Sequence, residues 1–307
     1  MQVIVGAGPI GTATAMLLAE AGERVRVITR SGRGPAHPLI ECVAADAADA
    51  ARLIELSKGA VALYNCANPQ YTEWAEKWPP MSDAMIAAAR ANDLVYAITG
   101  NLYVYGGPLP GPMTERSPLA ATGRKGRIRV KMWQDALASG VRTVEVRGSD
   151  YIGARANSVF SFALLPAIAK NRTAWCPADL DQVHSFTYTG DMARALVTLA
   201  ADERAYGRAW HVPSPPPITI RGLAKRYFEV SGTGPVPLHS LPRWIGRAAG
   251  LVWPMGRELA EMDYQFWAPF RMDSTLTEQT FGLRPTDLDV ALREVADDAG
   301  ATAARTM

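Results

Sequence analysis

The sequence predicts an α/β fold, a doubly wound parallel sheet with a smaller C-terminal lobe. Short apolar runs alternate with alanine-rich stretches through the first half of the 307 residues, as expected for strands separated by helices. A glycine-rich turn follows the first apolar run. After Arg147 the alternation weakens, and proline and tryptophan become frequent, which indicates a second, less regular region.

The alternation predicts the elements of the sheet domain in order. Strands are expected at residues 3–5, 24–29, 40–44, 60–65, 94–99 and 142–146, and helices at 11–21, 47–56, 81–92, 127–139 and 191–201. We therefore expect residues 1–150 to form the sheet domain, with 184–202 and about 271–299 returning to it. Residues 151–183 and 203–270 are predicted to form the smaller lobe.

Composition narrows the class of protein. Apolar residues make up 48% of the chain and charged residues 20%, with a net charge of +2, so no nucleic-acid partner is expected. No apolar run is long enough to predict a membrane span or a membrane partner. The three cysteines and four histidines are widely scattered, which predicts no metal site and suits a reducing, cytoplasmic location.

The glycine-rich turn carries the most specific signal. Gly6, Gly8 and Gly11 form G-x-G-x-x-G, with Pro9 and Ile10 between the last two, directly between a predicted strand and a predicted helix. In this context the glycines permit a tight turn, close approach of a pyrophosphate and close helix–strand packing. The N–H groups that begin the helix then face the anion. The turn predicts a Rossmann dinucleotide-binding domain.

The end of the second predicted strand indicates which dinucleotide binds. An acidic residue there usually accepts the ribose 2′-hydroxyl, but this strand ends in Arg30 and Ser31. Arg30 can pair with a 2′-phosphate and Ser31 can donate to it, which predicts NADP(H) rather than NAD(H). A solvated surface arginine is the alternative. Asp46 is expected either to accept from the adenine amino group or to cap the next helix.

Further motifs follow in a consistent order. They are N-C-A-N at 65–68, Y-V-Y-G at 103–106, T-E-x-x-P at 114–118, R-x-x-x-Y-x-G at 147–153 and F-G-L-R-P at 281–285. Together with the glycine turn they resemble the extended or atypical short-chain dehydrogenase/reductase superfamily, in its NAD-dependent epimerase/dehydratase branch. The resemblance implies that Ala67, Asn68 and Thr99 line the nicotinamide side of the cleft. By analogy it also implies a homodimer formed through the helices predicted at 81–92 and 127–139.

At the positions that the resemblance implies are catalytic, this sequence departs from the residues of the superfamily. The superfamily uses Ser or Thr together with the Tyr and Lys of Y-x-x-x-K, in which the tyrosine exchanges a proton and the lysine holds the ribose. Asn101 stands where the serine is expected. Lys131 is the candidate lysine, but Arg127 stands four residues before it. We therefore expect Lys131 to hold the ribose, Arg127 to hold an anionic group by charge, and the usual proton donor to be missing. Solvated helix charges are the alternative for this pair.

Another side chain must then supply the proton. Tyr103 is the first candidate, because it lies two residues after Asn101 and strand alternation points both to one side. Tyr151 is the second candidate, and Asp150 and His184 are weaker ones. Each tyrosine could equally be a packed aromatic residue with a hydrogen-bonded hydroxyl.

The smaller lobe is rich in aromatic residues. Asn157, Phe160, His184 and Phe186 fall where the superfamily covers its substrate, and an apolar pocket would suit a hydrophobic molecule. An ordinary apolar core is the alternative. The sequence therefore predicts an NADP(H)-dependent oxidoreductase acting on a carbonyl or an activated alkene of a small hydrophobic metabolite, with a non-standard proton donor. A non-redox isomerase, cyclase or dehydratase and an inactive NADP(H)-sensing protein are the alternatives.

Overall fold

A computed structural model describes residues 1–107 and 109–306. The strands are β1 (Gln2–Val5), β2 (Val25–Thr29), β3 (Ile40–Ala44), β4 (Ala62–Asn65), β5 (Val95–Asn101), β6 (Thr143–Gly148), β7 (Asp150–Ile152), β8 (Ala174–Cys176), β9 (Val183–His184), β10 (Phe186–Tyr188), β11 (Arg208–His211), β12 (Ile218–Thr219) and β13 (Leu238–Ser240). The helices are α1 (Pro9–Glu20), α2 (Ala50–Leu56), α3 (Trp74–Ala91), α4 (Arg124–Ala138), α5 (Leu165–Ile168), α6 (Thr189–Ala200), α7 (Ile220–Ser231), α8 (Arg243–Val252), α9 (Pro254–Glu261), α10 (Thr275–Phe281) and α11 (Leu288–Thr306).

Seven strands form one parallel sheet in the order β11-β6-β5-β4-β1-β2-β3. Every residue of β1, β4 and β6 is buried, as expected for central strands covered on both faces. The order in which the strands are added reverses between β1 and β4, since β2 and β3 lie beyond β1 whereas β5 and β6 lie beyond β4. Such a reversal leaves a crevice beyond the carboxyl ends of β1 and β4. The predicted doubly wound α/β fold is confirmed.

Two hydrophobic clusters cover the two faces of this sheet. One contains apolar side chains of α1 and α6, and the other contains those of α2, α3 and α4. Helix α3 begins seven residues earlier than predicted, because Trp74 and Trp78 bury their rings in the second cluster despite the prolines that follow. Helix α2 begins at Ala50, since Asp49 caps it by accepting a hydrogen bond from the Arg52 amide over 3.0 Å.

A third cluster forms the core of the smaller lobe, and its membership differs from the predicted division. Residues 208–211 were assigned to the lobe, but β11 is the edge strand of the main sheet and buries Trp210 against it. Residues 271–299 were expected to return to the sheet, but only α10 lies beside β11. Helix α11 instead packs on α7 and buries Ala291 and Leu292 in the lobe.

The described residues contain neither a membrane-spanning helix nor a metal-holding cluster. None of the helices is both long and apolar enough to cross a bilayer. Across residues 1–107 and 109–306, no group of three His, Cys, Asp or Glu side chains is arranged to hold a metal ion.

Candidate active site

The turn after β1 is shaped to hold a phosphate. Gly6 has φ +100°, and a Cβ there would lie 2.7 Å from the Cys66 carbonyl oxygen. A Cβ on Gly11 would lie 2.0 Å from the Gly6 oxygen, whereas a Cβ on Gly8 would meet nothing within 4 Å. Gly8 is the N-cap of α1, and the first turn, which includes Pro9 and Ile10, has neither a side-chain cap nor an acidic residue. These residues fit a dinucleotide pyrophosphate at the helix N-terminus.

The side chains predicted to select the cofactor lie at the end of β2. Arg30 and Ser31 are exposed and, with Thr29, line an open cavity of about 510 Å³. Asp46 is also exposed, and its Oδ1 accepts a hydrogen bond from the Ala48 amide over 2.9 Å. Asp46 does not cap α2, because Asp49 does.

The ends of β4 and β5 form the next part of the crevice. The Ala67 amide donates to Asn65 Oδ1 over 3.3 Å, which fixes the turn against Gly6, while Asn68 is exposed. The Thr99 hydroxyl lies 3.6 Å from the Cys66 sulfur, and burial raises the pKa of that thiol to about 11. The predicted nicotinamide-side residues therefore come from two neighbouring strand ends.

Asn101 and Tyr103 lie where β5 ends. Asn101 Oδ1 accepts from the Tyr103 amide over 3.2 Å and so caps the short 3₁₀ turn that follows. The Tyr103 hydroxyl is 2.5 Å from the Tyr71 hydroxyl, and burial raises the pKa of both phenols. Sequence reasoning missed Tyr71, whose place in the crevice depends on the turn between β4 and α3.

Helix α4 presents a different pair of basic residues from the predicted one. Its buried face includes Lys125 and Arg129, four residues apart. Lys131 has 72% of its side chain exposed and pairs with Asp135 over 2.8 Å. Arg127 is exposed and donates to the Thr122 carbonyl. The structure thus turns both predicted residues away from the crevice, because residues two apart on a helix face opposite sides.

Lys125 is one of the most buried side chains of the chain. It is 1% exposed and forms ion pairs with Glu258 and, over 3.1 Å, with Glu261. Both carboxylates come from α9, three residues apart on one face of that helix. Lys125 Nζ also lies 5.3 Å from the centre of the Tyr71 ring. A buried cation therefore lies beside the tyrosine pair.

Arg129 lies one turn further along α4. It is 4% exposed, donates through Nη2 to the Thr99 carbonyl oxygen, and lies over the Trp78 ring at 5.1 Å. Its buried Nε has no hydrogen-bond partner among the described residues. Arg129 therefore places a buried guanidinium at the end of β5.

Asp150 and Tyr151 begin the strand after β6. The Tyr151 hydroxyl donates to the Gly100 carbonyl oxygen over 3.2 Å, and burial raises its pKa. Asp150 Oδ2 accepts from the Val159 amide over 3.3 Å, and burial raises the pKa of this carboxyl to about 7. Asp150 is therefore a half-buried carboxyl that can change protonation near neutral pH.

The predicted substrate residues do not converge. Phe160 and Phe186 are buried in the lobe core, and Asn157 is exposed. His184 is 2% exposed, and its ring stacks on Phe266 at 5.1 Å. Its Nδ1 lies 3.1 Å from the Gln265 carbonyl oxygen, Nε2 has no partner among the described residues, and burial lowers its pKa to about 4. Phe160 and Phe186 therefore fit the alternative, in which these residues form an ordinary apolar core of the lobe.

Comparison with known proteins agrees with this architecture. The model of the NAD dependent epimerase/dehydratase family matches residues 3–212. A search of curated proteins found no match.

Several solved structures share the fold. UDP-glucose 4-epimerase from Thermotoga maritima, solved with UDP-glucose, is 16% identical, with a TM-score of 0.81 over 99% of this chain and 100% of that one. The Brucella ovis UDP-glucose 4-epimerase in complex with NAD is 20% identical, with a TM-score of 0.75 over 97% and 98%. A dTDP-glucose 4,6-dehydratase double mutant from Streptomyces venezuelae, with NAD and DAU bound, is 18% identical, with a TM-score of 0.77 over 99% and 98%.

Proposed function

Because the chain belongs to the NAD dependent epimerase/dehydratase family, we propose that it is an NADP(H)-dependent oxidoreductase with a non-standard proton donor. Its substrate would be a carbonyl or an activated alkene of a small hydrophobic metabolite. The observation that carries this proposal is the 2.5 Å pair of Tyr71 and Tyr103 hydroxyls beside Lys125, because the buried face of α4 offers no tyrosine.

The cofactor part of the proposal rests on two ends of the crevice. Gly6, Gly8 and Gly11 leave room for the pyrophosphate at the start of α1. Arg30 and Ser31 stand exposed where an adenosine 2′-phosphate would lie, and β2 ends without a carboxylate. A guanidinium there favours a phosphorylated ribose by charge.

We propose that Arg129, rather than Lys131, holds the ribose. Its guanidinium is held at the carbonyl of Thr99, the residue expected to line the nicotinamide side of the cleft. The exposed Lys131, paired with Asp135, has no such contact. We therefore assign the ribose contact to Arg129.

The bound nicotinamide would supply the hydride, and the protein would supply the proton. Tyr103 is proposed to donate its hydroxyl proton to the oxygen anion that develops on the substrate. Tyr71 can then donate to the Tyr103 oxygen through their shared hydrogen bond. Burial raises the pKa of Tyr71, and the positive charge of Arg129 opposes that rise, so Arg129 favours negative charge on this pair. Asn101 and Tyr151 lie near the pair at the end of β5. The Asn101 side chain accepts a hydrogen bond from the Tyr103 amide, and the Tyr151 hydroxyl donates to the Gly100 carbonyl oxygen.

A second candidate is a redox-neutral isomerisation or dehydration. It is favoured by Asp150, a half-buried carboxyl whose pKa of about 7 suits a general acid or base at neutral pH. In this reaction Asp150 would move a proton on the substrate, and the cofactor would return to its starting state.

We also propose that the protein is located in the cytoplasm and forms a homodimer.

A substrate panel separates these functions. The protein is incubated with NADPH and a set of hydrophobic ketones, aldehydes and enones while the absorbance of the reduced nicotinamide is followed. Loss of absorbance in step with product formation supports the oxidoreductase. Product without any net loss supports the redox-neutral enzyme. Tight NADPH binding without product from any compound would overturn both and favour a sensing protein.

A further inference from the structure

Helix α8 and the residue after it carry an unusual cluster of exposed apolar side chains. Trp244 is 68% exposed, Leu251 80% and Trp253 52%, and Ile245 is 37% exposed. Of the ten large hydrophobic side chains found exposed in the described residues, these four lie within ten positions. Such a concentration on a water-facing surface marks a contact site.

The same segment is basic. Residues 230–257 contain no Asp or Glu and three arginines, so the remainder of this chain, whose net charge is +2, sums to −1. Trp244 and Leu251 are seven residues apart and therefore lie on one side of α8. Arg243 pairs with Asp263 over 2.8 Å, and Arg257 is exposed.

We propose that α8 lies in the plane of an anionic lipid surface and attaches the enzyme to it peripherally. Exposed tryptophan and leucine side chains on a short helix, within a segment that carries arginine and no acidic residue, are features of interfacial helices. Indole rings also prefer the boundary between headgroups and acyl chains. A helix in the membrane plane needs no spanning length, so the absence of a spanning helix in the described residues is compatible with this role.

A second copy of the chain fits this surface less well. In a two-fold dimer the same patch meets itself, so the arginine-rich segment would face its own positive charge. Four side chains within ten residues also offer less area than the roughly 800 Å² per partner of a stable interface. Anionic lipid, by contrast, complements both the arginines of the segment and its exposed apolar side chains.

The attachment would place the lipid surface close to the crevice. Helix α9 follows α8 directly and carries Glu258 and Glu261, the two carboxylates that hold Lys125 beside Tyr71. A hydrophobic compound dissolved in the bilayer would then be presented near the tyrosine pair. Lipid binding itself requires no turnover, so its test is independent of the proposed reaction.

Vesicle sedimentation tests the proposal. The full chain is spun with vesicles of phosphatidylcholine alone or of phosphatidylcholine with phosphatidylglycerol. We expect it to sediment with the anionic vesicles and to be released by salt. Replacing Trp244, Leu251 and Trp253 by serine should lower the partition coefficient more than about 10-fold. The matched control replaces Val61, Leu137 and Val290, exposed apolar residues elsewhere, by serine and should bind normally.

Three results would overturn it. The wild-type chain could fail to sediment with anionic vesicles, or the control triple variant could lose binding as fully as the α8 variant. In the third, light scattering would show a wild-type dimer that the α8 variant converts to a monomer, which would assign the surface to a second copy.

Discussion

The Tyr71 and Tyr103 hydroxyl oxygens lie 2.5 Å apart, although the two residues come from turns after different strands. Either hydroxyl can donate, so the pair can pass a proton from Tyr71 to Tyr103. We expect Tyr103→Phe to lower kcat by about 10²-fold or more, the usual loss when a general acid is removed. Tyr71→Phe should lower kcat less, because Tyr103 remains.

Steady-state kinetics with NADPH measures both variants. Tyr227→Phe is the matched control, since Tyr227 is a buried tyrosine of the lobe core that packs on Phe160. Its kcat should equal that of the wild type. Unchanged turnover in Tyr103→Phe would exclude Tyr103 as the donor.

The register of α4 gives a second prediction. Arg129→Met should raise the Kd for NADPH about 10-fold or more, because the only buried guanidinium on this helix would be lost from the end of β5. Lys131→Met should leave the Kd unchanged, since Lys131 contacts Asp135 at the surface. Fluorescence titration measures both constants. A rise in the Kd for NADPH in Lys131→Met, without a larger rise in Arg129→Met, would restore Lys131 as the ribose contact.

The same helix shows which features local sequence predicts. The sheet and the glycine turn were predicted because strand, turn and helix signals are adjacent in the chain. The buried face of α4 was not predicted, because Lys125 and Arg129 are charged residues of the kind usually found at the surface. Burial of Lys125 depends on Glu258 and Glu261, more than 130 residues away. Position in the chain cannot indicate such a partner, so the predicted pair at 127 and 131 came from motif spacing alone.

Cofactor preference gives a third prediction. Arg30→Ala should raise the Kd for NADPH about 10- to 100-fold, the loss expected for a charge-assisted contact to phosphate. The Kd for NADH should change little, because it lacks the 2′-phosphate. Arg24→Ala is the control, as Arg24 is exposed at the opposite end of β2. An equal rise for both cofactors in Arg30→Ala would contradict the NADP(H) assignment.

A fourth prediction concerns a buried hydrogen-bond chain beneath the crevice. The Tyr105 hydroxyl lies 2.7 Å from His211 Nε2 and accepts from Arg147 Nη1 over 2.9 Å. His211 Nδ1 lies 2.7 Å from the Asp273 carbonyl oxygen, so Nδ1 carries the proton and Nε2 accepts from Tyr105. Burial lowers the pKa of His211 to about 3, which keeps the ring neutral.

Tyr105→Phe would leave His211 Nε2 and one Arg147 donor buried without this partner. We expect the free energy of unfolding to fall by about 2–3 kcal/mol, as for other unsatisfied buried groups. Tyr206→Phe is the control, because its half-buried hydroxyl donates only to the Ala200 carbonyl oxygen. Urea denaturation followed by circular dichroism measures both. A loss in Tyr105→Phe no larger than the control would show that water replaces the hydroxyl.

The final prediction concerns the pH dependence of stability. Burial raises the pKa of Asp150 from 3.8 to about 7 in the folded chain, so between these values the folded state binds the proton that the unfolded state has released. Its contribution is therefore greatest below about pH 4, declines as pH rises, and is fully lost above about pH 7. Asp150→Asn removes this decline. Relative to the wild type, the variant should gain up to about 4 kcal/mol of unfolding free energy between about pH 4 and pH 8. Urea denaturation across this range measures the difference, and parallel curves for the two proteins would show that Asp150 is ionised at an ordinary pH.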